Sequence, residues 1–487
     1  MTNVLKKLDP GQKEAVIAQN KHILCLAGAG SGKTRVLTSR IYYLLNNLNV
    51  DPHNILAITF TKNAANEMIE RLNSLNIDTN KLWCRTFHSA CYCILAEIKQ
   101  KGSLNIINES KQEGILKYII KKLSENKDFG YKIARFKEEN NWPSYLFFEE
   151  IAKIIHECKN YSISPLEIIK RCRKKRDEDI KEFYRLFYVI YFKYNKFMLR
   201  NSFYDFSDLI METINILKNQ PRLLKHYQKK FKYILVDEFQ DVNYPQVQLI
   251  SLLKGENNNL FVVGDDWQAI YGWRGSDVNF ILKFKKLFKE DNKTITLPYN
   301  YRSDSNIVNA ASKFIRKNRY QCRKKIKSFN SKKIKIKIFA GKTERENLNL
   351  VIKSIQKLLK HEINQNQIMI LGRNWKNLDI YKKNLSKIGF EDIKINTIHG
   401  SKGLEGDIVF LIGLHKGRAG FPHIKEDYEI MKIIKKTPLK LRLEEERRCF
   451  YVGITRARKL LFLITEKGKE SQFIHEISKK FCEKVRI

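Results

Sequence analysis

The stretch His22-Ile23-Leu24-Cys25-Leu26-Ala27-Gly28-Ala29-Gly30-Ser31-Gly32-Lys33-Thr34 decides how the rest of the chain is read. Its first five residues are a short apolar run of strand character, and a helical pattern follows Lys33. Glycines between a strand and a helix let backbone N–H groups wrap phosphate oxygens, and the helix N-terminus adds the positive end of its dipole. In that setting Lys33 is placed to reach the β- and γ-phosphates of a nucleotide, and the Thr34 hydroxyl to hold Mg²⁺. The strict spacing asks for glycine six places before the lysine, where this chain has Ala27. A glycine-rich turn without a ligand is the plainer reading; the strand before it and the helix after it weigh against that.

Working outward, Tyr233-Ile234-Leu235-Val236 is a second apolar strand, ending in Asp237-Glu238. Asp237 is placed to reach Mg²⁺, usually through water, and Glu238 to orient and deprotonate the attacking water. Two acids after a strand are often only a solvated loop, but phosphoryl transfer needs a cradle, a metal and a base together. Further strands are expected at 55–59, 260–264, 334–339, 367–371, 407–414 and 460–465, alternating with longer helical patterns. That alternation predicts an α/β chain with parallel sheets covered on both faces, and ligands at the carboxyl ends of strands. Between 91 and 200 the texture is helix-rich and strand-poor, which predicts a helical insert. The expected division is 1–90 with 201–278 as a first α/β unit, 91–200 as the insert, and 279–487 as a second α/β unit.

A chain of 487 residues holds roughly two to four packing units. A hydrophobic share of 43% excludes a disordered chain. Lys and Arg total 91 against 52 Asp and Glu, a net charge of +39. Such a field attracts polyanions such as nucleic acid or acidic membrane surfaces, although a lysine-rich composition bias produces the same number. Residues 313–337 carry twelve Lys/Arg and no acid, either a nucleic-acid face or solvated surface. The nine cysteines are odd in number and form no CxxC pair, which fits reduced thiols in a cytosolic or nuclear compartment. No apolar run approaches the ~20 residues a membrane helix needs. No N-terminal signal core is expected, and no repeat period is visible.

Asp237-Glu238-Phe239-Gln240-Asp241 resembles the hydrolysis motif of the UvrD/Rep/PcrA helicases of superfamily one. The resemblance runs nearly end to end in family order. Leu8-Asp9-Pro10-Gly11-Gln12 resembles the family's Q motif, and Val263 through Gly275 its third motif. Asn300-Tyr301-Arg302-Ser303 is similar to the fourth, Thr397 through Glu405 to the fifth, and Glu445 through Arg458 to the sixth; Phe421-Pro422-His423 also matches a family stretch. The resemblance implies an α/β fold of two RecA-like P-loop NTPase units with ATP in the cleft between them. It implies an ATP- and Mg²⁺-dependent DNA helicase or translocase moving 3′-to-5′. The ATP set it implies is Gln12, Ala27, Gly28, Ala29, Gly30, Ser31, Gly32, Lys33, Thr34, Arg35, Tyr301, Arg302, Glu405 and Arg456, with Thr34 and Asp237 toward the metal. Gln12 reads adenine, Tyr301 stacks on it and Glu405 contacts the ribose. Lys33, Glu238, Gln268, Arg302 and Arg456 are the implied catalytic groups; Gln268 senses the γ-phosphate, and the two arginines offset its charge during transfer.

A motor must hold bases without reading them, and aromatic faces do this. The resemblance places Phe60, Tyr271 and Trp273 along the single strand, with Thr61, Thr86, His88, Arg274 and His399 nearby. Phe60 ends an apolar strand, so core burial rivals that reading, whereas Trp273 between Gly272 and Gly275 suggests an exposed edge. Departures are Lys62-Asn63 in reversed order, Ser401 for alanine and Gly406 for an aromatic. Family members also carry a second helical insert just ahead of the fifth motif; here the residues between Arg373 and Thr397 suffice for a helix and a short strand. The implied partners are single-stranded and tailed duplex DNA, together with repair or replication proteins, and no membrane. The implied form is a monomer, cytoplasmic and nucleoid-associated, or nuclear in a eukaryote. The rival readings are a nucleic-acid-binding module with an inactive ATPase and a translocase that strips proteins from single strands.

Overall fold

Apolar runs of four to six residues become the centres of two parallel sheets. The computed structural model describes residues 3–100, 102–139, 143–173, 177–417, 420–424, 434 and 438–485; parts of the insert expected at 91–200 lie outside the described residues. In the first sheet, β1 (His22–Leu26), β2 (Ile55–Thr59), β3 (Trp83–Thr86), β4 (Tyr233–Val236), β5 (Asn259–Gly264) and β6 (Asn292–Thr296) lie in the order β3-β2-β4-β5-β1-β6. In the second, β7 (Ile336–Gly341), β8 (Ile368–Gly372), β9 (Lys394–Thr397), β10 (Gly406–Leu411), β11 (Ala457–Glu466) and β12 (Cys482–Lys484) lie in the order β9-β8-β10-β11-β7-β12. Adding six to each label of the first order gives the second, so the two units share one topology.

Alternation along each strand builds two cores per sheet. Leu24, Leu26, Leu56, Ile58, Ile234 and Val236 enter one core of the first unit, and Ile23, Cys25, Ile55, Ala57 and Leu235 the other. The second sheet divides likewise, with Met369, Leu371, Val409 and Leu411 on one side and Ile368, Ile370, Ile408 and Phe410 on the other. Strands apolar on both faces are what a parallel sheet under two helical layers requires. The units also touch directly, since Ala29, Trp267 and Ile270 of the first join the core that holds Ile307, Phe314 and Tyr451 of the second.

Helix starts follow local chemistry. Asp9 and Gln12 form a capping box on α1 (Pro10–Ile17), and Thr61 and Thr86 cap α3 (Lys62–Asn73) and α4 (Phe87–Lys99). Between β1 and β2 runs α2 (Lys33–Asn46). The helical unit comprises α5 (Glu109–Ser124), α6 (Lys127–Glu139), α7 (Ser144–Asn160), α8 (Pro165–Cys172) and α9 (Glu178–Arg200), followed by α10 (Phe206–Asn219) of the first unit. Between β8 and β9 stands α11 (Trp375–Ser386), and α12 (Leu439–Ile454) precedes β11.

Two expected boundaries move. β6 pairs with β1 from His22↔Asn292 to Leu26↔Thr296, so the first unit extends past 278. α4 sends Cys91, Ile94 and Leu95 into the first unit's core, while the separate helical core runs from Ile107. In the stretch 313–337 most basic side chains are exposed, but Lys324 is buried. All nine cysteines are free, and among the described residues no helix is long and apolar enough to cross a membrane.

A charge cluster around buried Lys159 joins the helical unit to the first α/β unit. Lys159 at the end of α7 reaches Asp205 at 2.6 Å and Asp208 at 2.5 Å, and the Tyr194 hydroxyl donates to Asp205 at 3.0 Å. Lys159→Met leaves buried Asp205 and half-buried Asp208 without their cation. The expected loss is about 3–5 kcal/mol of unfolding free energy, read by urea denaturation against the parent chain.

Candidate active site

The loop after β1 is shaped by what stands behind it. Gly30 and Gly32 have φ of 65° and 81°, and a Cβ at Gly30 falls 2.7 Å from Arg302 Cβ. The loop's carbonyl oxygens are taken from the rear: Lys324 Nζ donates to Ala27 at 2.9 Å, Asn300 Nδ2 to Ala29 at 2.6 Å, the Tyr301 N–H to Gly30 at 2.9 Å, and buried Gln12 Nε2 to Ser31 at 3.0 Å. The first-turn N–H groups of α2 have no partner within their own helix and are therefore donors for an anion. Gly30, Ser31, Gly32, Lys33, Thr34 and Arg35 line a cavity of about 600 Å³ between the two units. Ala27 and Ala29 are buried at its rear, as is Gln12, while Gly28 packs on Ile326.

The same cavity gathers Asp237, Glu238, Gln268, Tyr301, Arg302, Glu405 and Arg456. Lys33 Nζ lies 2.8 Å from the Glu238 carboxylate. Burial alone raises the Glu238 carboxyl, but Lys33 and Lys402 outweigh it and hold it at about 2. Asp237 is pushed the other way, to about 7, by burial and by the Glu238 charge. Glu238 sits in the left-handed region at φ 48°, a strained geometry of order 1–3 kcal/mol that aims its side chain into the cavity. Lys402 binds Asp241, lies 3.8 Å from Glu238 and donates to the Gln268 carbonyl at 3.0 Å.

From the second unit, Arg456 donates to Gln268 Oε1 at 3.1 Å, and Gln268 Nε2 donates to Asp265 at 2.7 Å. Burial and the neighbouring Arg302 lower the Arg456 guanidinium to about 9, the mark of a buried cation that an added anion stabilises. Arg302 binds Glu405, and the Tyr301 hydroxyl donates to Asp9 at 2.6 Å. The Thr34 hydroxyl and the Asp237 carboxylate are hard oxygen donors suited to Mg²⁺. Among the described residues no group of three or more His, Cys, Asp and Glu stands ready for a metal. An ion here would need further oxygen ligands from outside the chain.

The loop 268–275 separates this cavity from a second one of about 610 Å³. Gln268 and Tyr271 line the first, and Gly272 and Trp273 the second. Phe60 is half-buried and stacks on Tyr271 with centroids 5.4 Å apart and planes 12° from parallel. Trp273 is 55% exposed, and the Arg274 guanidinium lies 4.6 Å from its ring centroid. His399 is 6.1 Å from the Trp273 ring and 6.3 Å from that of Tyr271. Phe60, Tyr271, Trp273, Arg274 and His399 thus form one aromatic and basic group, with Thr61 on the wall of the first cavity. Thr86 and His88 are engaged elsewhere: Thr86 caps α4 and His88 packs edge-on against Phe206.

Comparison with known proteins agrees with this arrangement. The profile of the UvrD/REP helicase N-terminal domain matches residues 8–289, and that of the UvrD-like helicase C-terminal domain matches 295–391 and 376–468. The chain belongs to the UvrD-like helicase family. It is 38% identical over 378 residues to the ATP-dependent DNA helicase PcrA of Staphylococcus epidermidis, covering 77% of this chain and 49% of that protein. It is 38% identical over 369 residues to the ATP-dependent DNA helicase PcrA of Staphylococcus aureus, covering 75% of this chain and 47% of that protein. The chain thus spans about half the length of the curated relatives it matches. Within the family's two-sheet frame, Lys402 and Lys324 are the groups that sequence reasoning left out. Lys402 lies inside the fifth motif, between Ser401 and Gly403, and that setting was its only signal. Nothing in the basic run 313–337 distinguishes Lys324 from its neighbours.

His399 gives this site a pH signature. Burial pushes its imidazole down to about 3, and Arg373, Lys402 and Arg274 act in the same direction. Between pH 6.5 and 3 the unfolded chain therefore takes up a proton that the folded one refuses, and stability falls as pH falls, at about 1.4 kcal/mol per pH unit from this residue. Urea denaturation at pH 6.5 and pH 5 is expected to show His399→Gln losing less stability across that interval than the parent, by roughly 1–2 kcal/mol.

Proposed function

We propose that the chain is an ATP-dependent DNA helicase or translocase that moves 3′-to-5′ on single strands, with Mg²⁺ accompanying the nucleotide. The observation that carries this is the loop 268–275, which presents Gln268 to the nucleotide cavity and Trp273 to the neighbouring one. One short segment thereby reports phosphate state on one side and base contact on the other. The direction of movement follows from the family resemblance.

The chemistry runs through groups already in place. In this structure Lys33 is paired with Glu238, which keeps the carboxylate ionised but weakly basic. A γ-phosphate competes for Lys33 and frees Glu238 to accept a proton from water as the water's oxygen attacks the γ-phosphorus. The bond from that phosphorus to the bridging oxygen breaks, giving ADP and inorganic phosphate. Arg302 and Arg456 offset negative charge spread over the transferred group, and the planar guanidinium suits paired phosphate oxygens. Thr34 and Asp237 would hold Mg²⁺, which would supply positive charge to the phosphates. The bases of a single strand stack against Trp273 and its aromatic neighbours at roughly 1–3 kcal/mol each, without sequence reading.

Steady-state ATP hydrolysis with and without single-stranded DNA tests this. Single strands are expected to raise the rate. Lys33→Ala or Glu238→Gln should lower it by about 10²–10³-fold and leave strand binding largely intact. Trp273→Ala should lose most of the stimulation and weaken strand binding by roughly 1–3 kcal/mol at an unchanged salt slope. On tailed duplexes, unwinding is expected with 3′ tails and not with 5′ tails. Normal stimulated hydrolysis with no strand displacement assigns the chain to protein-stripping translocation, and near-parental hydrolysis by Glu238→Gln removes the assignment of the base.

A further inference from the structure

One lysine of the basic stretch 313–337 faces inward. The Lys324 side chain has no exposed area and gives its three ammonium N–H groups to three oxygens: the Ala27 carbonyl at 2.9 Å, Asp266 Oδ1 at 2.7 Å, and Asp265 Oδ1. Three donors on one tetrahedral nitrogen meet three acceptors, so its capacity is filled. Each acceptor leads somewhere different. Ala27 is the rear of the phosphate loop. Asp265 offers its other oxygen to Gln268 Nε2 at 2.7 Å, and Gln268 in turn accepts from Arg456 at 3.1 Å. Asp266 accepts the Cys322 N–H at 2.7 Å, which fixes the segment carrying Lys324.

That segment is tied at its other end to α12. The Tyr320 carbonyl accepts from Arg448 at 2.6 Å, Asn318 Oδ1 from Arg447 at 2.7 Å, and the Arg319 N–H donates to Glu444 at 2.9 Å. The C-terminal end of α12 leads into Arg456. A single ammonium group thus stands one hydrogen bond from the phosphate loop, two from Gln268, and a few residues from the helix that delivers Arg456.

We infer that Lys324 is a positioning residue for ATP hydrolysis: it fixes the rear of the phosphate loop, Gln268 and the segment anchored to α12 against one another, and so sets the geometry at which the phosphoryl group is transferred. This rests on the hydrolysis proposed above. Lys324 lies behind the loop and makes no contact with the nucleotide cavity; its effect is exerted through Asp265 and Ala27. Arginine is no substitute, because a planar fork does not present three donors to a tetrahedral set of oxygens.

The test is DNA-stimulated ATP hydrolysis, with kcat and KM separated, beside thermal melting of each variant. Lys324→Met strands Asp265 and Asp266, so a lowered Tm is expected together with a fall in kcat of about 10²-fold, the scale of a displacement of order 1 Å at a reacting centre. Lys324→Met combined with Asp266→Asn removes one charge of each sign. That double variant should melt above Lys324→Met, with only Asp265 still stranded, yet keep a kcat lowered by roughly 10²-fold with a much smaller change in KM for ATP. Recovery of kcat along with Tm in the double variant overturns the inference and reduces Lys324 to a counter-charge. So does a parental kcat in either variant, or a double variant that does not fold. A parent chain that hydrolyses no ATP fails the proposed function itself, and is told apart by that measurement alone.

Discussion

The phosphate loop can face an anion because its carbonyl oxygens are already occupied. Ala27, Ala29, Gly30 and Ser31 each accept a hydrogen bond from behind. A carbonyl turned into the cavity repels phosphate; with these four engaged, the N–H edge at the start of α2 is the side left to the ligand. Three of the four donors lie beyond the first sheet, at Asn300, Tyr301 and Lys324. The loop is therefore not a self-contained module. The first unit supplies the chain that turns, and the connection to the second unit supplies the backing that keeps it turned.

The electrostatics of the cleft follow from the same closeness of two units. Lys33 and Lys402 are shared among Glu238 and Asp241, while Arg456 is buried beside another arginine. Carboxylates that sit within reach of each other are driven apart in acidity: Glu238 is held low by its two ammonium neighbours, and Asp237, deeper in, is held high. The two adjacent acids thereby take different characters from their surroundings and not from their residue type.

Much of this was legible in the sequence, for physical reasons. Central strands such as 22–26 and 55–59 are apolar on both faces, and the glycines and acids at their carboxyl ends stand where parallel sheets bind ligands. Edge strands were not legible. Asn292–Thr296 is only partly buried and polar in composition, Trp83–Thr86 is brief and Cys482–Lys484 is three residues long, so none offers a periodic signal. Missing Asn292–Thr296 is what misplaced the first unit's boundary. Lys324 was hidden for a different reason: burial of a charge depends on acids some sixty residues away in sequence, and local pattern carries no trace of them. The shared strand order of the two sheets was legible only through the family resemblance, which implied two RecA-like units, and not through any repeated residue.

The helical unit leans on the loop 268–275 at a position that has no side chain. Gly275 has φ of 81°, and a Cβ there falls 2.6 Å from Asn160 Cβ; the Asn160 amide donates to the Arg274 carbonyl at 3.2 Å. This contact makes the accessory helices poorly interchangeable. A helical unit grafted from another chain needs a residue of matching size at the end of its third helix, or it lifts the Trp273 loop from its seat. Chimeras joined in the connections on either side of the insert inherit that requirement unseen, and the junction that decides their success lies far from either splice point.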